Sequence, residues 1–144
     1  MRIRMNLAMP VESIRKVLFH PVTEMLLWLQ FAAAITIFTY YATAQVHIPA
    51  GNTDFVLHLV GNFLLFLSAR LAFLKFKGHW FVLAFALIYG SAMEASQYFL
   101  PARYFDPQDL LANWLGVFAG LSLALLIEFA VRKWIAKQAA LGSD

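Results

Sequence analysis

The chain has 144 residues, 62% of them hydrophobic and only 13% charged, with a mean hydropathy of +0.69. Ordinary soluble domains are about 45–50% apolar and about 25% charged, and a globule this small has too much surface for its volume to hide the excess. A soluble enzyme, a disordered chain and a cationic nucleic-acid binder are therefore excluded, because the net charge of +3 comes from Lys and Arg at the ends of apolar runs rather than on one basic face.

Residues 1–24 form a basic N-terminal segment. Met5, Leu7, Ile14, Val17 and Leu18 interleave with its charges, so it reads equally as an amphipathic interfacial helix or as a flank that orients the protein. A membrane-spanning helix needs roughly 20 mostly apolar residues, and four stretches qualify: about 25–44, 55–74, 80–99 and 110–131. Ala42-Thr43-Ala44 resembles a signal-peptidase site. The long leading segment and long apolar run argue against cleavage, so the first span is expected to be retained. Pro49, Gly51, Gly78, Pro101 and Pro107 punctuate the chain between spans. Asn52, Thr53 or Asp54 suits the cap of the second helix, and Asp106-Pro107 suits the start of the fourth. Residues 132–144 form a short basic tail.

Charge sets the orientation. Of the eleven Lys and Arg, only Arg103 falls in the 45–54 or 100–109 loops; the others flank the opposite ends of the spans. The positive-inside rule then places both termini and the 75–79 loop in the cytoplasm. The expected fold is an all-α integral membrane protein, an antiparallel bundle of four transmembrane helices spanning residues 25–131. Its expected location is the cytoplasmic membrane, which it crosses several times.

Polar residues inside a span are costly and usually face the bundle interior. Asp54, His58 and Asn62 are spaced i, i+4, i+8 on one face of the second helix. Glu94 and Gln97 share a face of the third. Arg103, Asp106 and Asp109 sit in or just after the outer loop, and Asn113 lies one turn further, on the face of Asp109. All nine fall in one outer layer. Each alone reads as a helix cap, an anchor or interhelical glue. Together they exceed what four short helices need, and Glu94 at that depth must be paired or protonated. The Pro101 turn lets Arg103 fold back toward it. In the inner half, Arg70 and Glu128 lie near span ends, where Arg70 can snorkel to the surface. Ala112, Gly116 and Gly120 give the fourth helix a smooth ridge for close packing, as Ser91 and Ala95 do on the third.

No GxSxG, HExxH, CxxC or phosphate loop is present, so no cofactor and no metal set is expected. With no cysteine, disulfides, thiolate ligands and S-acyl anchors are excluded. Neither a nucleophile nor a diagnostic metal motif marks the chain as an enzyme.

The pattern Asp54-x-x-x-His58, then Glu94-x-x-Gln97, Pro101-x-Arg103 and Asp109-x-x-x-Asn113-x-x-Gly116 resembles the VanZ-like family of small bacterial membrane proteins. The resemblance covers about residues 54–120. It departs from the family at Phe55, where Lys is common, and at Ala102, where Gly is common. The first departure leaves Asp54 without its usual neighbour and makes Arg103 a candidate partner. The resemblance implies that the polar residues are a shared signature, and the founding member's link to teicoplanin resistance implies a role at the cell envelope.

Four functions follow as expectations. The leading one is an outward-facing polar pocket for membrane lipids or lipid-linked envelope precursors, with Arg103 holding a phosphate and the carboxylates holding amines, sugar hydroxyls or a divalent cation. The others are an intramembrane acid/base enzyme using Glu94 and His58, an ion-coupled carrier, and an assembly protein that forms a homodimer through the Gly116/Gly120 ridge. No nucleic-acid partner is expected.

Overall fold

A computed structural model describes residues 12, 14, 16–43, 52–75, 78–101 and 104–141. Four long helices carry the chain: α1 (Pro21–Thr43), α2 (Asn52–Ala72), α3 (His79–Gln97) and α4 (Pro107–Leu141), with no strand among the described residues. In the N-terminal amphipathic segment, residues 12, 14 and 16–18 are helical and exposed and residues 21–24 already belong to α1; residues 1–11, 13 and 15 lie outside the described residues.

The helix boundaries follow local chemistry. Asp106 starts α4: its carboxylate accepts a hydrogen bond from the Gln108 amide at 2.8 Å, and Pro107 takes the first turn, where it has no donor to lose. The same helix runs on to Leu141 instead of ending near 131. At about 1.5 Å per residue it is about 50 Å long, well beyond a hydrocarbon core of about 30 Å. Its last part carries exposed Arg132, Lys133 and Lys137. In α1 the hydroxyls of Thr36, Thr39 and Thr43 each bond back to the carbonyl four residues earlier, which satisfies them without water.

Three helical segments are long and apolar enough to cross a membrane: Pro21–Thr43, Asp54–Ala72 and Pro107–Gln138. Helix α3 is not among them, because its 19 residues include His79 at the start and Glu94 and Gln97 near the end. It nevertheless lies alongside the others: Tyr89 meets Thr39 of α1, and the Gly90 carbonyl meets Asn113 of α4.

The exterior is apolar and part of the interior is polar. Leu126, Ile88 and Phe129 are each about two-thirds exposed, whereas Asn62, Glu94 and Asn113 are almost completely buried. That inversion of the soluble pattern is what a lipid solvent demands, and it marks the chain as a membrane protein. The apolar core gathers Phe31, Leu65, Phe66, Val82, Ala86 and Val117.

The closest packing is between α2 and α4. A Cβ at Gly116 would sit 2.2 Å from the Leu59 carbonyl oxygen, and one at Gly120 would meet Phe66 and the Phe63 carbonyl. Ala112 is fully buried beside them. The small-residue ridge is thus occupied within the chain. Arg70 also differs from expectation. Rather than reaching out to the surface, its guanidinium donates to Glu128 at 2.7 Å and to His79 at 3.3 Å, and His79 meets the other Glu128 oxygen at 3.2 Å. In an apolar setting, pairing offsets the cost of each charge.

Candidate functional site

Helical spacing stacks Asp54, His58 and Asn62 on the face of α2 that meets α4, where Asp109 and Asn113 form a matching i, i+4 pair. Helix α3 closes the third side with Gly90 and Glu94, also four apart. The polar cluster therefore draws on three helices, near the start of α2, the end of α3 and the start of α4.

Asn113 is its centre. The side-chain amide of Asn62 donates to the His58 carbonyl at 3.0 Å, which orients that amide, and also donates to Asn113 Oδ1. Asn113 Nδ2 donates to the Gly90 carbonyl at 3.2 Å, so Asn113 Oδ1 is an acceptor on both counts. His58 Nδ1 lies 3.0 Å from the same oxygen. An acceptor there requires Nδ1 to be a donor. The other ring nitrogen, Nε2, faces Asp54 Oδ1 at 3.6 Å and Asp109 Oδ2 at 3.8 Å.

Glu94 stands on the Nδ1 side of the ring, with Oε2 at 3.9 Å from Nδ1. Its Oε1 accepts a hydrogen bond from the Asp106 backbone amide at 2.9 Å, which ties the end of α3 to the start of α4. Oε2 is buried and makes no hydrogen bond among the described residues.

The structure thus joins Asp54, His58, Asn62, Glu94, Asp109 and Asn113. Asp106 enters through its backbone amide, while its carboxylate caps α4. Gln97 is buried, yet its side-chain nitrogen has no hydrogen-bond partner among the described residues. Arg103 lies outside the described residues, and with it the expected pairings to Glu94 and Asp54. Asp54 meets His58. The packing residues Ala112, Gly116 and Gly120 sit on the α4 face that meets α2.

Two features escaped the sequence. Gly90 is one: a Cβ there would lie 2.7 Å from Asn62 Oδ1, so only glycine lets the three helices close on the asparagines. Its placement four residues before Glu94 was the available signal. The other is a set of possible metal ligands. One ligand atom each from Asp54, His58 and Asp109 lie within 4.8 Å of one another. No spacing rule could join them, since the third ligand comes from a different helix.

A family model described as VanZ/LLP1 matches residues 2–128. No curated protein and no solved structure matches the chain. The family match is wider than the polar motif: it takes in α1, α2 and α3 and most of α4, together with every residue of the cluster. Motif, helix order and packing ridge all fall within one matched span, and the chain belongs to the VanZ/LLP1 family.

Proposed function

We propose that this VanZ/LLP1 protein is a multi-pass protein of the bacterial cytoplasmic membrane. Its four helices would form an antiparallel bundle with both termini in the cytoplasm, and its polar cluster would bind the head group of an envelope lipid or lipid-linked precursor at the outer face. The observation that carries this reading is the buried network of His58, Asn62, Glu94, Asp109 and Asn113 inside an otherwise apolar bundle. The Gly116 ridge and the aromatic core already hold the helices together, so packing does not require such a concentration of polar groups. Its donors and acceptors suit sugar hydroxyls and amines, and Arg103, between α3 and α4 in the sequence, suits a phosphate. Pairings of α1 with α2 through Gln30 and Ser68, and of α2 with α4 through His58–Asn113 and Arg70–Glu128, support alternating helix directions. The Lys and Arg distribution supports the orientation. A lipidated glycopeptide such as teicoplanin acts at that same face, which agrees with the family's link to resistance.

The test is to extract the protein in polymer-bounded native membrane discs and identify the retained lipids by mass spectrometry. Wild type should be enriched in one phosphate- or sugar-bearing envelope lipid relative to bulk membrane. Glu94→Gln should lose that enrichment, and Gly78→Ala should keep it. Wild-type lipid identical to the bulk membrane would refute the head-group site.

A further inference from the structure

We propose that the far end of α4 carries a binding site for an anionic phospholipid: Arg132, Lys133 and Lys137 hold the phosphate of its head group, with Trp134 beside them at the membrane surface. The site lies at the opposite end of the bundle from His58 and Glu94. It rests on the orientation given above only for its leaflet, the inner one; the charge argument holds in either.

The first observation is that α4 outruns its packing. Among the described residues, the last side-chain hydrogen bonds from other helices reach it at Glu128, from Arg70 of α2 at 2.7 Å and His79 of α3 at 3.2 Å. The helix continues to Leu141, and residues 129–137 are all exposed. An exposed run of more than two turns covers every face of a helix, so this stretch stands clear of the bundle. It also lies beyond residue 128, where the family match ends.

The second observation is uncompensated charge. Residues 129–141 contain Arg132, Lys133 and Lys137 and no Asp or Glu. Among the described residues Arg132 reaches one carboxylate, Glu128 at 3.9 Å, and that group is already engaged by Arg70 and His79. Lys133 and Lys137 lie four apart on one face of the helix, with Arg132 on the adjoining face. The stretch therefore presents a positive collar to whatever surrounds it.

The third observation is depth, which selects the partner. The exterior of α4 carries exposed Leu126, Phe129 and Val131 and then turns basic. From Leu110 to Val131 the helix rises about 33 Å, close to a hydrocarbon core of about 30 Å. Arg132 and Lys133 follow at once, and Lys137 lies about 6 Å beyond Lys133. The head-group layer is about 5–7 Å deep on each side, so the three cations lie in it or at its edge, short of the aqueous space where an acidic protein would meet them. Trp134 shares that level, where an indole has apolar and polar surroundings at once. Anionic lipids attract basic clusters placed just outside a span, and each Lys or Arg adds to the affinity.

The test uses the full-length protein in uncharged detergent. Phosphatidylglycerol with a fluorescent acyl chain is titrated in, and energy transfer from the tryptophans reads binding. Wild type should bind it about tenfold or more tightly than Arg132→Gln/Lys133→Gln/Lys137→Gln does. All three positions are exposed, so this variant should unfold at the wild-type temperature. If it fails to fold, Lys133→Gln alone decides, with binding weakened by about fivefold. Unlabelled phosphatidylglycerol should displace the probe and phosphatidylcholine of the same chains should not. Salt at about 1 M should remove most of the binding, because charges are then screened within about 3 Å. Arg2→Gln/Arg4→Gln/Lys16→Gln takes the same charge from the N-terminal segment and should bind as wild type does. Equal binding by the α4 variant, equal displacement by phosphatidylcholine, or an equal loss in the N-terminal variant would overturn the site. Displacement by poly-glutamate in preference to phosphatidylglycerol would assign the cations to an acidic protein and overturn it too. In the native-disc comparison, lipid lost with Glu94→Gln belongs to the outer cluster and lipid lost only with the α4 variant belongs here, so either reading can fail alone.

Discussion

Asn113 anchors His58: its side-chain oxygen, already an acceptor from Asn62, lies 3.0 Å from His58 Nδ1, which donates to it. The same amide donates to the Gly90 carbonyl, so one side chain from α4 locks α2 and α3 together.

Replacing Asn113 with Ala should therefore do more than remove one hydrogen bond. It leaves His58 Nδ1 and the Gly90 carbonyl without that partner in buried space, at about 1–3 kcal/mol for each unsatisfied group. The expected loss is about 2–4 kcal/mol, read as a lower thermal unfolding midpoint in detergent. A loss within about 0.5 kcal/mol, as at an ordinary surface site, would mean that the network does not form.

Gly116 and Gly78 should respond oppositely to alanine. At Gly116 the new methyl would sit 2.2 Å from the Leu59 carbonyl oxygen, a backbone atom that can move only if α2 and α4 separate. At Gly78 nothing lies within 4 Å and the backbone is extended, with φ −110. Gly116→Ala should cost at least about 1–3 kcal/mol, the usual range for overpacking. Gly78→Ala should stay within about 0.5 kcal/mol of wild type. Thermal unfolding of the two variants side by side checks the order.

Arg70 and Glu128 should act as a unit. Their contact at 2.7 Å is only partly open to solvent, and His79 shares the carboxylate. Removing either charge strands the other, so the double-mutant cycle of Arg70→Gln and Glu128→Gln should show a coupling of about 1–2 kcal/mol. Additive losses would mean that the pair contributes nothing beyond its separate parts.

Much of the architecture could be read from the chain itself. Apolar length marked the helices, and Asp106-Pro107 marked the start of α4 to the residue. Helical spacing placed Asp54, His58 and Asn62 on one face, and Asp109 with Asn113 on another. Which faces meet is a matter of helix rotation and crossing, which no single helix encodes. The Gly90–Asn113 contact, the second carboxylate at His58 Nε2 and the Arg70–His79–Glu128 group were therefore out of reach. The Gly116 ridge was visible as a packing surface, but its partner proved to be α2 of the same chain. The family match likewise begins at residue 2 rather than at Asp54, because apolar helices share a weaker residue pattern than spaced polar groups do.

The most direct test of an outward-facing polar site uses the absence of native cysteine. Single cysteines are placed at position 51, just ahead of α2 in the sequence, and at position 77, just ahead of α3, and intact cells are treated with a membrane-impermeant thiol reagent. If the positive charges orient the bundle as expected, the cysteine at 51 is labelled and the one at 77 reacts only after the cells are lysed. The reverse pattern would put the His58 cluster on the cytoplasmic side and contradict an outer-face head-group site.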